Sequence, residues 1–180
     1  MAKIPDPRCG ICRASAGVPL KDRKAGDIPR LEDGGYYCTD CRLKHMDPFN
    51  PFYPGGTFFS KVCQGSFNAS INFPNLQQDK RKGLDVYARM VVCDSPDGVW
   101  YKQTWPRSMI LRINGTIAYK IQPPDPGHKR RDQPLSVTAF LTTGANTVVV
   151  NSETCEGDVA FALVCCQPHT PDQIVTKVRC

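Results

Sequence analysis

The stretch from Ile110 to Ile121, ILRINGTIAYKI, sets two runs of apolar and β-branched residues on either side of Asn114-Gly115. An Asn-Gly pair tolerates positive φ at both centres of a two-residue turn, and the twist of that turn matches the strands it joins. The spacing therefore predicts an antiparallel hairpin. The same texture begins near residue 57: TFFSKVC, LDVYARMVVC, GVWYKQTW, PLSVTAFL, NTVVVN and DVAFALVCC are short runs rich in β-branched and aromatic residues. DSPDG, PPDPG and TTGAN punctuate them. Short strands with closely spaced turn signals predict a mostly β chain, an antiparallel sandwich. PLSVTAFL reads as a strand by its alternation, and Trp100, Tyr101 and Trp105 read as core aromatics. Only the tail changes period. In HTPDQIVTKVRC, Thr170 falls at a helix N-cap, Pro171 at the first helical position and Gln173 where a capping box needs it, so a short terminal helix is expected.

At 180 residues, with 41% apolar and 22% charged positions, the composition is that of an ordinary globular chain. Sixteen prolines and 14 glycines argue against long helices. The formal charge of +6 permits an acidic protein or nucleic-acid partner without demanding one. No stretch approaches the roughly 18 apolar residues of a membrane span, and the start MAKIPDPRCG lacks the apolar run of a signal peptide. The chain is thus expected to be soluble and intracellular, with no membrane partner.

Residues 1 to about 56 have almost no periodic apolar pattern and cannot build a core of their own. They do contain Cys9, Cys12, Cys38 and Cys41, spaced C-x2-C-x25-C-x2-C. A C-x2-C turn brings two thiolates to one ion, and two such turns complete the tetrahedral set that zinc prefers. One structural zinc is the expected cofactor; it would order a segment that hydrophobic burial cannot. A redox pair would need a βαβ surround that is missing, and a disulfide framework remains as the alternative. His45, four residues after Cys41, reads as a surface residue. Cys63, Cys93, Cys155, Cys165, Cys166 and Cys180 show no ligand spacing and read mostly as small buried hydrophobes. The chain has no nucleophile elbow, no Gly-rich phosphate loop and no HExxH, so no catalytic centre is expected.

Three motifs in order carry a resemblance. GHKRRDQPLSVTAFLTTGANTVVV (127–150) is similar to the region that names the PINIT domain of the Siz/PIAS family of SUMO-protein E3 ligases, with Pro134 to Thr138 in the place of the PINIT letters. TWPRSMILRINGTIAYKI (104–121) resembles that family's strand and hairpin, and FALVCCQPHTPDQIVTKV (161–178) its closing strand and helix. Cys165 and Cys166 replace the basic residues usual after the Leu-Val. YYCTDCRLKHMDPFNP (36–51) looks like the end of the PHD finger that plant-type Siz ligases carry before PINIT. A full finger of that type holds two zinc ions, whereas the four cysteines here provide for one.

The resemblance implies a reduced PHD-like finger over 1–50, a linker over 51–56 and a PINIT-like sandwich over 57–180. It implies the substrate-recognition, non-catalytic portion of a SUMO ligase in the nucleus. There it would hold a protein substrate for transfer from a SUMO-loaded E2, which an SP-RING absent from this chain would engage. Pro134 and Thr138 are the family signature and are counted among the candidates for substrate contact. The loop residues His128, Lys129, Arg130 and Arg131 are candidates for contact with an acidic substrate patch. Lys80, Arg81 and Lys82 form a second basic cluster, read as a turn. The alternative is a chromatin- or DNA-binding module using the finger and the basic loops.

Overall fold

The computed structural model describes residues 38–93, 102–153 and 157–178. Eight strands form two four-stranded antiparallel sheets: β1 (Phe58–Cys63), β8 (Val159–Cys166), β3 (Asp85–Val92) and β6 (Leu135–Ser136) in one, and β2 (Phe67–Phe73), β7 (Gly144–Ser152), β4 (Met109–Ile113) and β5 (Thr116–Ile121) in the other. This is the expected sandwich. Alternation does the work in the second sheet: Met109, Leu111 and Ile113 of β4 and Val148 and Val150 of β7 turn inward, their neighbours outward. They meet Val86, Ala88 and Met90 of β3 and Phe161 and Leu163 of β8 in one core, with Phe67 set edge-on to Phe161 at 5.3 Å between ring centres. Trp105 joins that core as expected, while Trp100 and Tyr101 lie outside the described residues.

The hairpin at Asn114-Gly115 forms as its sequence predicts, with φ of 52° and 80° at the two turn residues. A bulge on β5 shifts the register, so that Leu111 faces Tyr119 and Arg112 faces Ile117. Asn114 also serves the tertiary fold. Its Nδ2 donates to Asn146 Oδ1 at 2.8 Å and to the Phe140 carbonyl at 3.1 Å, and its Oδ1 accepts the Thr147 N–H at 3.0 Å.

Strand β8 is buried along its whole length, which alternation alone would not produce. Its outer face, Ala160, Ala162, Val164 and Cys166, lies under a third layer made by residues 38–56. Here helix α1 (Thr39–His45) lays Leu43 on the sheet, supported by Met46 and Phe52. Small side chains at 160 and 162 let the helix approach closely. Residues 38–56, the described part of the segment without a core pattern of its own, therefore pack on one borrowed from the sheet.

Two buried arginines clamp this layer from opposite sides. Arg42 of α1 donates to the Val92 carbonyl at 2.8 Å and the Cys93 carbonyl at 3.1 Å, at the end of β3. Arg89 of β3, wholly buried, answers by donating to the Leu43 and Lys44 carbonyls at 2.7 and 3.0 Å. These are carbonyls of the last turn of α1, which have no intrahelical partner, so the guanidinium caps the helix and meets the negative end of its dipole. Asn50 O, Cys166 Sγ and, at 3.9 Å, Asp47 complete its surroundings.

Two local readings differ from expectation. PLSVTAFL pairs as a strand only at Leu135 and Ser136, then winds into one 3-10 turn over Thr138–Phe140. Lys80, Arg81 and Lys82 end a short helix, α2 (Leu76–Arg81), anchored by the buried Leu76. The tail helix α3 (Pro171–Val178) forms as predicted, its capping box closed by Thr170 N–H to Gln173 Oε1 at 2.9 Å and Gln173 N–H to Thr170 Oγ1 at 3.3 Å.

Candidate functional site

The basic loop 127–133 is mounted on the sandwich by one of its own arginines. Arg130 donates through Nη2 to the Trp105 and Pro106 carbonyls at 2.8 and 2.9 Å, and through Nη1 to the Gln122 and Arg107 carbonyls at 3.0 and 3.2 Å. Its Nε pairs with Asp132, whose other oxygen accepts the Trp105 N–H at 2.8 Å. The buried Trp105 closes the circuit by donating its indole N–H to the Gln133 carbonyl at 2.9 Å. Arg130 is thus turned into the fold, and the structure leaves His128, Lys129 and Arg131 exposed around it. Sequence alone could not separate the three consecutive cations, because which one meets the carbonyls depends on loops distant in the chain.

Thr138 is likewise turned inward. Its hydroxyl donates to Asp85 and accepts the Val86 N–H at 2.6 Å, while Ser136 Oγ donates to the other Asp85 oxygen at 2.8 Å. The signature threonine therefore pins the start of β3 to the end of β6.

Pro134, in contrast, lines a surface cleft of about 460 Å3. Opposite stands Phe49, 54% exposed, held in an Asx turn by its N–H to Asp47 Oδ1 at 2.9 Å and by its carbonyl, which accepts the His169 N–H at 2.9 Å. Tyr87 forms part of the wall; burial, then the neighbouring Asp85 carboxylate, push its phenol up to about 12. Gln103 also lines the cleft. The Met90 N–H donates to its Oε1 at 3.2 Å, and the Thr104 N–H donates to the Met90 carbonyl at 3.0 Å, so residues 103–104 stand in for a strand beside β3. Gln103 Nε2, buried, has no partner among the described residues, and an unmet buried donor costs about 1–3 kcal/mol. Neither Phe49 nor Gln103 is singled out by its sequence neighbourhood; a Phe after Asp-Pro and a Gln in an apolar run carry no motif. A second depression of about 550 Å3, near Met109, Ile121 and Pro123, holds no such unmet group.

Of the four spaced cysteines, Cys9 and Cys12 lie outside the described residues. Cys38 occupies the N-cap position of α1, without a side-chain capping bond, and Cys41, buried, follows three residues on, so the two stand on one side of the helix start. Thiolates so placed suit zinc, and the pair fits half of a tetrahedral set. Among the described residues no group of three metal-binding side chains occurs. His45 is exposed, as expected, and its imidazole is held below its usual range by partial desolvation and then by Lys44 and Arg89. Cys165 and Cys166 are buried; desolvation pushes their thiols up to about 11 and about 12, which keeps them from nucleophilic chemistry near neutrality. No described helix is long and apolar enough to cross a membrane.

Among solved structures the fold is similar to that of the S. cerevisiae SUMO E3 ligase SIZ2, with a TM-score of 0.52 and 14% identity over 74% of this chain and 56% of that one. It is also similar to the S. cerevisiae SUMO E3 ligase SIZ1, with a TM-score of 0.50 and 18% identity over 73% of this chain and 51% of that one. This chain spans about half the length of those ligase structures, and at such identity what is shared is the fold. No protein-family model and no curated protein matches the chain.

Proposed function

We propose that the chain is the substrate-recognition, non-catalytic portion of a SUMO E3 ligase, which holds a nuclear protein so that its lysine meets the thioester of a SUMO-loaded E2. The observation that carries this reading is the sandwich shared with the two yeast SUMO ligases. The rigid basic loop supports it: His128, Lys129 and Arg131 stand outward on a base fixed by Arg130, which suits an acidic patch on a partner. Holding substrate and thioester together trades binding energy for effective concentration, so this half of a ligase needs no reactive group. An SP-RING module would engage the E2.

In the same reading Cys9, Cys12, Cys38 and Cys41 hold one structural zinc. The ion would fasten the segment ahead of α1 to the sandwich through the helix that Arg42 and Arg89 already clamp.

The test is a chimera of this chain with a heterologous SP-RING in a reconstituted SUMO assay on nuclear extract. The set of modified proteins is expected to differ from that obtained with the SP-RING alone, and Lys129→Glu with Arg131→Glu to abolish the difference. An unchanged set would overturn the reading. The competing role, DNA or chromatin binding, would show instead as duplex affinity falling steeply with salt.

A further inference from the structure

We infer that the cleft between Phe49 and Pro134 is a peptide-docking site, whose occupant is an extended segment of a partner protein with an apolar side chain flanked by acidic residues. The inference rests on the proposed function only in taking that partner to be a ligase substrate.

Three independent features select this occupant. The first is apolar surface on a rigid mount. Phe49 projects on a loop fixed by Asp47 and by His169, whose Nδ1 lies 3.0 Å from the Pro48 carbonyl, and Pro134 faces it from the end of the basic loop. A fixed, half-exposed phenylalanine between two prolines covers a partner side chain at little entropic cost. The second feature is polar. Gln103 is 7% exposed and its Oε1 is already bound to the Met90 N–H, yet its Nε2 has no partner among the described residues. A buried donor beside a sheet matches the carbonyl of an extended peptide, as in strand addition.

The third feature is charge. Of the acidic groups around the cleft, Asp132 is paired with Arg130 and Asp47 lies 3.9 Å from Arg89, while Asp85 accepts only from the neutral donors of Ser136, Thr138 and Val86 and keeps its charge. Lys129 and Arg131 are exposed and make no ion pair among the described residues. Arg131 precedes the lining residue Gln133 by two positions, at most about 7 Å of chain. Two exposed cations thus stand on the loop that runs into the cleft against one uncompensated carboxylate, Asp85, and acidic residues flanking the apolar anchor complement those cations.

The experiment selects random dodecapeptides displayed on phage against the immobilised full chain, then measures the enriched sequences as synthetic peptides by fluorescence anisotropy. Enriched peptides are expected to combine an apolar residue with flanking Asp or Glu. Phe49→Ala, which removes an exposed ring, should weaken them about tenfold, as for a modest hot spot. Lys129→Glu with Arg131→Glu should weaken them and flatten their salt dependence. In labelled wild-type chain, the Gln103 side-chain amide resonances should shift on saturation. Absence of enrichment, peptides without acidic residues, or equal affinity for Phe49→Ala would overturn the inference. The two readings fail separately: a chimera that redirects SUMO equally well with Phe49→Ala removes the cleft alone. Peptides that bind at Phe49 to a chain whose chimera redirects nothing remove the ligase role alone.

Discussion

Arg89 is the residue on which the third layer turns. A guanidinium taken fully out of water is tolerated because carbonyls of Leu43, Lys44 and Asn50, and the nearby Asp47 carboxylate, serve its two Nη groups, although its Nε has no partner among the described residues. Removing it takes the donor from three carbonyls and the nearby cation from Asp47, so Arg89→Met is expected to lower stability by about 3–5 kcal/mol, read as a shift in the urea midpoint. Nothing in YARMVV marks this arginine, since a cation in a strand usually points to solvent; its partners lie some forty residues away. The buried thiols make a second prediction. Cys165 and Cys166 are raised from 9.0 to about 11 and about 12, and Tyr87 from 10.0 to about 12, all chiefly by burial. Between pH 9 and 12 the unfolded chain therefore loses protons that the folded chain keeps, so stability is fully present below pH 9 and falls as pH rises through that window. Denaturant titrations at pH 8, 9.5 and 10.5 should show the midpoint flat at first and then falling.

At the scale of elements, the Asn114-Gly115 hairpin was legible from two letters, because Asn and Gly both tolerate the positive φ that a type I′ turn needs at its two central positions. A Cβ at Gly115 would meet nothing within 4 Å, so Gly115→Ala isolates the backbone cost at φ 80°. The expected loss is about 1–2 kcal/mol, measured by thermal unfolding. Gly56 makes the opposite case: its φ is ordinary, but a Cβ there would stand 2.8 Å from Cys165 Cβ, where the arm passes the end of β8. The signature PLSVT was legible as an extended entry but not as a clasp. Thr138 leaves the strand because its hydroxyl reaches Asp85 and the Val86 N–H, a pairing set by the neighbouring strand. Thr138→Val, nearly equal in shape, should cost about 1–3 kcal/mol by removing two hydrogen bonds, although the Val86 N–H keeps Asp85 Oδ1 at 3.0 Å, and Thr138→Ser should restore most of it. The measurement is equilibrium unfolding of both variants.

For the whole molecule, residues 38–56 are one layer of a packed body: Leu43 and Phe52 rest on β8, and Tyr53 and Gln167 extend the pairing beyond it. The zinc expectation belongs at this scale, since Cys38 and Cys41 sit at the start of the helix that roofs the sheet. Elemental analysis of purified chain is expected to give one zinc per molecule. Chelation should lower the thermal midpoint, and a content near zero or two would contradict a single site of four thiolates.

The runs that become β1, β3, β4, β5, β7 and β8, the turn at Asn114-Gly115 and the terminal helix follow from the sequence by itself, because each depends on neighbours within a few positions, whereas β2 carries no such run and the end of GVWYKQTW, at residues 102–105, forms no strand. Tertiary structure alone decided that residues 38–56, which carry no core pattern, would find one on the outer face of β8. It also decided that Arg130 rather than Lys129 or Arg131 would face the fold, and that Phe49, Gln103 and Pro134 would share a cleft. Those outcomes rest on hydrogen bonds and contacts between residues tens of positions apart, and no local pattern of letters encodes which distant carbonyls a side chain will meet.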